Sequence, residues 1–69
     1  MNLEKQNIST EEALAEVNYC LTSIGQMGAN DSEVSELTTL LKELESNTVS
    51  PQEAKNRAYK ILNRKMDYH

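Results

Sequence analysis

Hydrophobic residues recur at intervals of three and four positions along three separate stretches of the chain. This spacing is typical of amphipathic helices, because it places the apolar side chains on one face. The first stripe consists of Leu14, Val17, Leu21 and Ile24, widened on one side by Ala13, Cys20 and Met27. The second consists of Val34, Leu37, Leu40, Leu41 and Leu44, and the third of Ala54, Ala58, Ile61 and Leu62. No window alternates at every second residue as a strand would. The pattern predicts a small all-α fold of three helices.

Polar residues mark where each predicted helix begins. Ser9 and Glu12 have the spacing of a capping box, in which each side chain bonds the other residue's backbone N–H. Residues 50–53 (SPQE) combine a capping serine, a proline at the first helical position and a glutamate at the third. For the second helix we predict Asp31 or Ser32 as the cap. We expect a disordered N-terminus over residues 1–8, a three-helix domain over residues 9–66 and a tail over residues 67–69.

Charge and length narrow the classes of protein to consider. The chain has 69 residues, with eleven acidic and seven basic side chains and a formal net charge of −4. This balance disfavours nucleic acid, whose affinity comes largely from Lys and Arg at phosphates. No apolar run approaches the ~18 residues of a membrane span, and residues 1–9 lack the apolar core of a signal peptide. We therefore expect a cytoplasmic protein that associates with neither nucleic acid nor membrane.

A chain of this size needs support that its own sequence does not supply. A small core rarely provides more than ~3–5 kcal/mol, and a disulfide, a metal or a partner usually adds to it. The single Cys20 excludes an internal disulfide, and the terminal His69 is the one imidazole. A partner is therefore the remaining source of stability. The apolar stripe of the first helix is also wider than packing against two short helices requires. We predict that its excess width faces a partner, through Leu14, Val17, Leu21 and Ile24; an ordinary core is the alternative.

Catalytic chemistry is missing from the sequence. Cys20 lies in an apolar stripe without a base other than the terminal histidine, so we interpret it as a core residue rather than a nucleophile. Gly25 and Gly28 lie inside a helical pattern with no preceding strand, which excludes a glycine-rich phosphate loop. The glutamates in the first turns of the first helix are interpreted as a solvent-exposed face, formed by Glu11, Glu12 and Glu16. We predict that the protein is not an enzyme and holds no cofactor or metal.

A helix-turn-helix DNA reader is one alternative for the second and third helices. Helical spacing puts Arg57, Lys60 and Arg64 on the same side of the third helix, with Lys55 and Asn56 nearby. The net acidity of the chain weighs against this interpretation. DNA binding would weaken steeply as the salt concentration rises.

The order of the parts resembles a known family. A helix-breaking stretch around residues 23–30 is followed by a leucine-rich helix and then by residues 47–54 (NTVSPQEA). These last residues are similar to the G-E-I-S-x-E-E-A turn that precedes the final helix in VbhA/FicA-type antitoxins. The resemblance covers residues 13–62. It implies an antitoxin that wraps a Fic-domain adenylyltransferase and inhibits this toxin in trans. A small helical adaptor that binds an unrelated protein is the alternative.

The family's inhibitory helix carries the motif [S/T]-x-x-x-E-[G/N]. The resemblance implies that the motif glutamate pairs with an arginine of the toxin that otherwise holds the γ-phosphate of ATP. Such a pair is physically reasonable, because a carboxylate fits the donor fork of a guanidinium as a phosphate does.

The motif can be placed on this sequence in two registers, and neither supplies a carboxylate. In the first, Ser23 opens the motif, Gly28 closes it and Met27 occupies the glutamate position. In the second, Ile24 takes the hydroxyl position, Gly28 the glutamate position and Ala29 the last position. We prefer the second, because residues 26–29 then form continuous helix in which a glycine has no local purpose. The alternative is that Gly28 ends the helix. In either register we expect a chain that binds but inhibits poorly, by natural degeneration or by a Glu-to-Gly substitution.

Overall fold

The structure is a computed structural model that describes residues 8–67. These residues form three helices, α1 (Thr10–Gln26), α2 (Asp31–Glu45) and α3 (Pro51–Asp67), and no strand. The predicted all-α fold is confirmed. The predicted disordered N-terminus falls outside the described residues except at Ile8, which is half-buried and packs against the core. Asp67, assigned above to the tail, is the last residue of α3.

The N-terminal caps agree with the sequence for α1 and α3 but not for α2. Ser9 Oγ accepts from the backbone N–H of Glu12, and Glu12 returns a bond to the Ser9 N–H, both at 3.0 Å. Ser50 Oγ accepts from the Glu53 N–H at 3.2 Å, with Pro51 first in the helix. The prediction of Asp31 or Ser32 as the cap of α2 is wrong.

The cap of α2 is Asn30, whose extended backbone turns its side chain towards the first turn of the helix. Its Oδ1 accepts from the Glu33 N–H at 2.9 Å, and Glu33 Oε1 accepts from the Asn30 N–H at 3.1 Å. Asp31 becomes the first residue of α2, where its negative charge complements the helix dipole.

Two helices end on a residue with a left-handed backbone. After α1, Met27 is the C-cap and Gly28 has φ +81°; after α2, Asn47 has φ 62°. The α2 end is a Schellman motif, in which Thr48 N–H donates to Glu43 O at 2.9 Å and Asn47 N–H to Leu44 O at 3.2 Å. At the α1 end Gly28 N–H donates to Gly25 O at 3.3 Å. Both connections are therefore short and set by backbone geometry.

Helix α1 is the centre of the bundle, because α2 and α3 each pack mainly on α1 and only slightly on each other. The four residues predicted to face inward from α3 are all buried. On α1 the centre of the buried face differs from the prediction, since Leu14 and Leu21 are only half-buried and Met27 is exposed. The buried positions of α1 and α2 are Ala13, Val17, Cys20, Ile24, Leu37, Leu40 and Leu44.

Candidate functional site

The residues placed on the inhibitory motif do not share one surface. Ile24 is fully buried in the core, while Ser23 and Ala29 are half-buried. Met27 is 42% exposed and Gly28 is exposed, at the corner between α1 and α2. Met27 and Gly28 are therefore the most accessible of these positions in this conformation, and Ile24 is the one that no partner can reach.

The conformation of Gly28 contradicts the reason given for the preferred motif register. That register requires helix through residues 26–29, whereas α1 ends at Gln26 and Gly28 has φ +81°. The glycine does have a local purpose, because glycine adopts this left-handed conformation at little cost. The first register is compatible with this geometry, since Gly28 then stands at the position where the motif allows Gly or Asn. These two residues are the ones that commonly end a helix in this way.

A lysine of α3 holds the α1–α2 corner in place. Lys65 Nζ donates to the carbonyl oxygen of Gly28 at 3.2 Å and lies 3.1 Å from Glu33 Oε1. One ammonium group thus joins the end of α1, the start of α2 and the last turns of α3. The Asn30 backbone N–H, and after it Lys65, hold the pKa of the Glu33 carboxyl below its usual range. The corner is therefore fixed electrostatically at neutral pH.

The four residues predicted to bind a partner separate into two groups. Val17 and Ile24 are fully buried in the chain's own core and offer no surface in this conformation. Leu14 and Leu21 are half-buried and pack against the core from its edge. The physical reason is that α1 packs on two helices rather than one, so its wide stripe is largely used within the bundle.

An exposed apolar surface lies instead along the groove between α1 and α3, which we call the α1–α3 seam and define by Tyr19, Tyr59 and Met66. Tyr19 is 58% exposed and Met66 is 54% exposed. The rings of Tyr19 and Tyr59 lie with centroids 6.4 Å apart. The Tyr59 hydroxyl donates to the Glu16 carboxylate, and this bond, with burial and the negative charge of Glu16, raises the pKa of Tyr59 to about 12.

Tyr19 of the seam is regularly spaced from two of the residues placed on the motif, Ser23 of α1 and Met27 at the C-cap of α1. Tyr19, Ser23 and Met27 recur every four residues, a spacing that puts them along one edge of a helix. Sequence reasoning missed Tyr19, Tyr59 and Met66 as site residues. A large side chain outside the predicted stripe, as Tyr19 is, was the one available signal. That α3 brings Tyr59 and Met66 beside it follows only from the packing of the helices.

The buried thiol does not have the properties of a nucleophile. Cys20 is fully buried, and burial, with a smaller contribution from the charge of Glu16, raises its pKa to about 11. A reactive cysteine has the opposite shift, because the thiolate is the attacking form.

Among residues 8–67 no group of three His, Cys, Asp or Glu side chains is placed to hold a metal ion. No helix in this part of the chain is long and apolar enough to span a bilayer.

The basic residues considered for a DNA reader lie on a different face. Arg57, Lys60 and Arg64 line an open groove between α2 and α3, whereas Lys55 and Asn56 are outside it. Arg57 lies 3.8 Å from both Glu43 and Glu53. This face therefore carries carboxylates beside its cations.

Comparisons of the chain with protein-family models, with curated proteins and with solved structures find no match. The resemblance to the antitoxin family accordingly rests on the residues quoted above.

Proposed function

We propose that this chain is a non-catalytic binding protein that docks on its partner through the α1–α3 seam, and that the partner is a Fic-domain adenylyltransferase. The observation that carries the proposal is the exposure of Tyr19, Met27 and Met66, which are the three most exposed large apolar side chains among the described residues. Tyrosine and methionine are enriched at protein interfaces. A seam of such residues is a reasonable place for a partner to bind.

The alignment of the seam with the motif supports an antitoxin in particular. Ser23 and Gly28 stand at the first and last motif positions, and the exposed Met27 stands where the family has its glutamate. A methionine cannot form the charge-assisted bidentate bond that a carboxylate makes with a guanidinium. The chain would accordingly wrap the adenylyltransferase while leaving the arginine that holds the γ-phosphate of ATP free.

Binding is tested by isothermal titration with a Fic-domain adenylyltransferase from the same organism. The Tyr19→Ala and Met66→Ala variants should each weaken the complex by about 2 kcal/mol if these side chains are buried anchors. Glu45→Ala, an exposed change on α2, is the matched control and should have little effect. Failure of the unaltered chain to bind, or equal losses in all three variants, would refute the proposal.

Inhibition is tested by restoring the carboxylate. Met27→Glu should sharply reduce transfer of AMP from ATP by the complex, without weakening the complex itself. Gly28→Glu is the control, since it places a side chain on a left-handed backbone and disturbs the corner. Restoration by Gly28→Glu alone would show that the other register is correct after all. Full inhibition by the unaltered chain would refute the role assigned to position 27.

A helical adaptor for an unrelated protein is the second candidate. The lack of a carboxylate at Met27 favours it, because an adaptor needs the exposed seam but no inhibitory charge. A pull-down with the chain as bait separates the two. If the chain is an antitoxin, the pull-down should recover a Fic-domain protein. If it is an adaptor, the pull-down should recover a different protein, and the Tyr19→Ala variant should fail to recover it.

A further inference from the structure

A second surface lies between α2 and α3, away from the seam residues. These two helices pack mainly on α1 and little on each other, which leaves an open groove of about 500 Å³ between them. Leu40 and Ile61 line its floor, and both are almost fully buried. The base of the groove is therefore apolar but small, because only 4% of Leu40 and 6% of Ile61 is exposed.

The two walls of the groove have different chemistry. Arg57, Lys60 and Arg64 line the α3 side at a spacing of three and four residues. Hydroxyl side chains line the α2 side at the same spacing, from Ser32, Ser35 and Thr39. Arg57 lies 3.8 Å from Glu43 on the facing wall and 3.8 Å from Glu53. Among the side chains of residues 8–66, Lys60 and Arg64 have no carboxylate within 4 Å. One wall is therefore a cationic ladder, and the facing wall combines these hydroxyl groups with the carboxylates of Glu36 and Glu43.

We propose that this groove binds an acidic amphipathic helix of a protein partner. The carboxylates of that helix would face the cationic ladder and supply most of the attraction, while its apolar side chains would cover the small apolar base at Leu40 and Ile61. Helices commonly bind in this way, with one apolar face laid into a groove and charges at its rim. The charge complementarity selects the occupant, because Lys60 and Arg64 are exposed and available to carboxylates. The proposal uses no seam residue and is independent of the proposed function.

The carboxylates of the groove distinguish a peptide from a nucleic acid. Glu36 and Glu43 also line the α2 side. They would repel regularly spaced phosphates, whose binding depends on neutralisation by Lys and Arg. A protein helix can place uncharged or basic residues opposite them and keep its acidic residues for α3. The mixed charge of the groove therefore favours a protein partner.

The test uses the full-length chain and a fluorescein-labelled synthetic helix with a leucine stripe flanked by glutamates. Fluorescence anisotropy should show saturable binding, weakened about tenfold by the double variant Lys60→Gln/Arg64→Gln. Lys42→Gln/Lys55→Gln removes the same charge outside the groove and should change the affinity by less than about twofold. The same peptide with Gln in place of Glu should bind weakly to every variant. Circular dichroism of each variant confirms that the helices remain formed.

Several results would overturn the proposal. One is equal weakening by the two double variants, which would mean that net charge rather than the groove attracts the peptide. Tighter binding of duplex DNA than of the peptide, lost on Lys60→Gln/Arg64→Gln, would assign the groove to nucleic acid. Self-association in sedimentation that the same variant abolishes would identify a second copy of the chain as the occupant.

Discussion

Gly25 and Gly28 differ in the backbone conformation that each must adopt, and this difference predicts opposite responses to substitution. Gly25 lies inside α1, with open space where a Cβ would be, whereas Gly28 has φ +81°. Gly25→Ala should raise the free energy of unfolding by about 0.5–1 kcal/mol through helix propensity. Gly28→Ala should lower it by about 1–2 kcal/mol, because an L side chain is strained there. Urea denaturation followed by circular dichroism measures both. Stabilisation by both substitutions would contradict the left-handed end of α1.

The buried thiol of Cys20 is expected to react slowly in the native chain. Its pKa of about 11 means that almost none of it is thiolate at neutral or mildly basic pH. Ellman's reagent should therefore react very slowly with the native chain at about pH 8, and rapidly once urea unfolds the chain and the pKa returns to about 8.5. Rapid reaction without denaturant would show that α1 leaves the bundle readily.

The ends of the helices show what local sequence can and cannot predict. Ser9 and Ser50 were identifiable because a capping residue and a glutamate three positions later form a local pattern. Asn30 has the same pattern with Glu33, but the adjacent Asp31 and Ser32 are equally good caps by residue type. The helix-ending role of Gly28 was stated only as the alternative, because a resemblance suggested a continuous helix, although glycine after a helix is common.

The ion pair between Glu33 of α2 and Lys65 of α3 predicts that the stability of the fold depends on pH. The folded chain lowers the pKa of Glu33, so the ionised carboxylate stabilises the fold above its unfolded pKa. This stabilisation is lost as the pH falls through the lower, folded pKa. Glu33→Gln keeps a side-chain oxygen that can accept from the Asn30 N–H, but removes the negative charge beside Lys65. The variant should be less stable than the unaltered chain at pH 7, and the difference should shrink on acidification. Thermal melts over a pH series measure this, with Glu45→Gln as the control.

For the whole molecule, the fold class could be predicted and the candidate site could not. Three apolar stripes and their spacing were sufficient for an all-α bundle, because each amphipathic face must be buried against another helix. The excess width of the first stripe was interpreted as a partner surface. The packing shows α1 between two neighbours, with Val17 and Ile24 inside. The seam of Tyr19, Tyr59 and Met66 depends on which helices adjoin, and no local pattern specifies that.

Truncation of a core residue and of a seam residue should therefore have different effects on folding. Ile24→Ala creates a cavity in the centre of the bundle and should cost about 2–5 kcal/mol. A core of this size supplies only about 3–5 kcal/mol, so this variant should be largely unfolded. Tyr19→Ala, on the surface, should change the free energy of unfolding by less than about 1 kcal/mol. Comparable losses in the two variants would contradict the burial described here.

The central place of α1 also governs how its backbone amides exchange with solvent. Because α2 and α3 both pack on α1, this helix cannot open by itself without exposing the whole core. Its innermost amide protons should exchange only through complete unfolding, with a free energy equal to that from denaturation. Those of α2, which packs little on α3, should exchange through smaller openings. Native-state hydrogen exchange resolves the two helices residue by residue. Helix α1 would then present its exposed edge as a rigid surface that is already formed before any encounter.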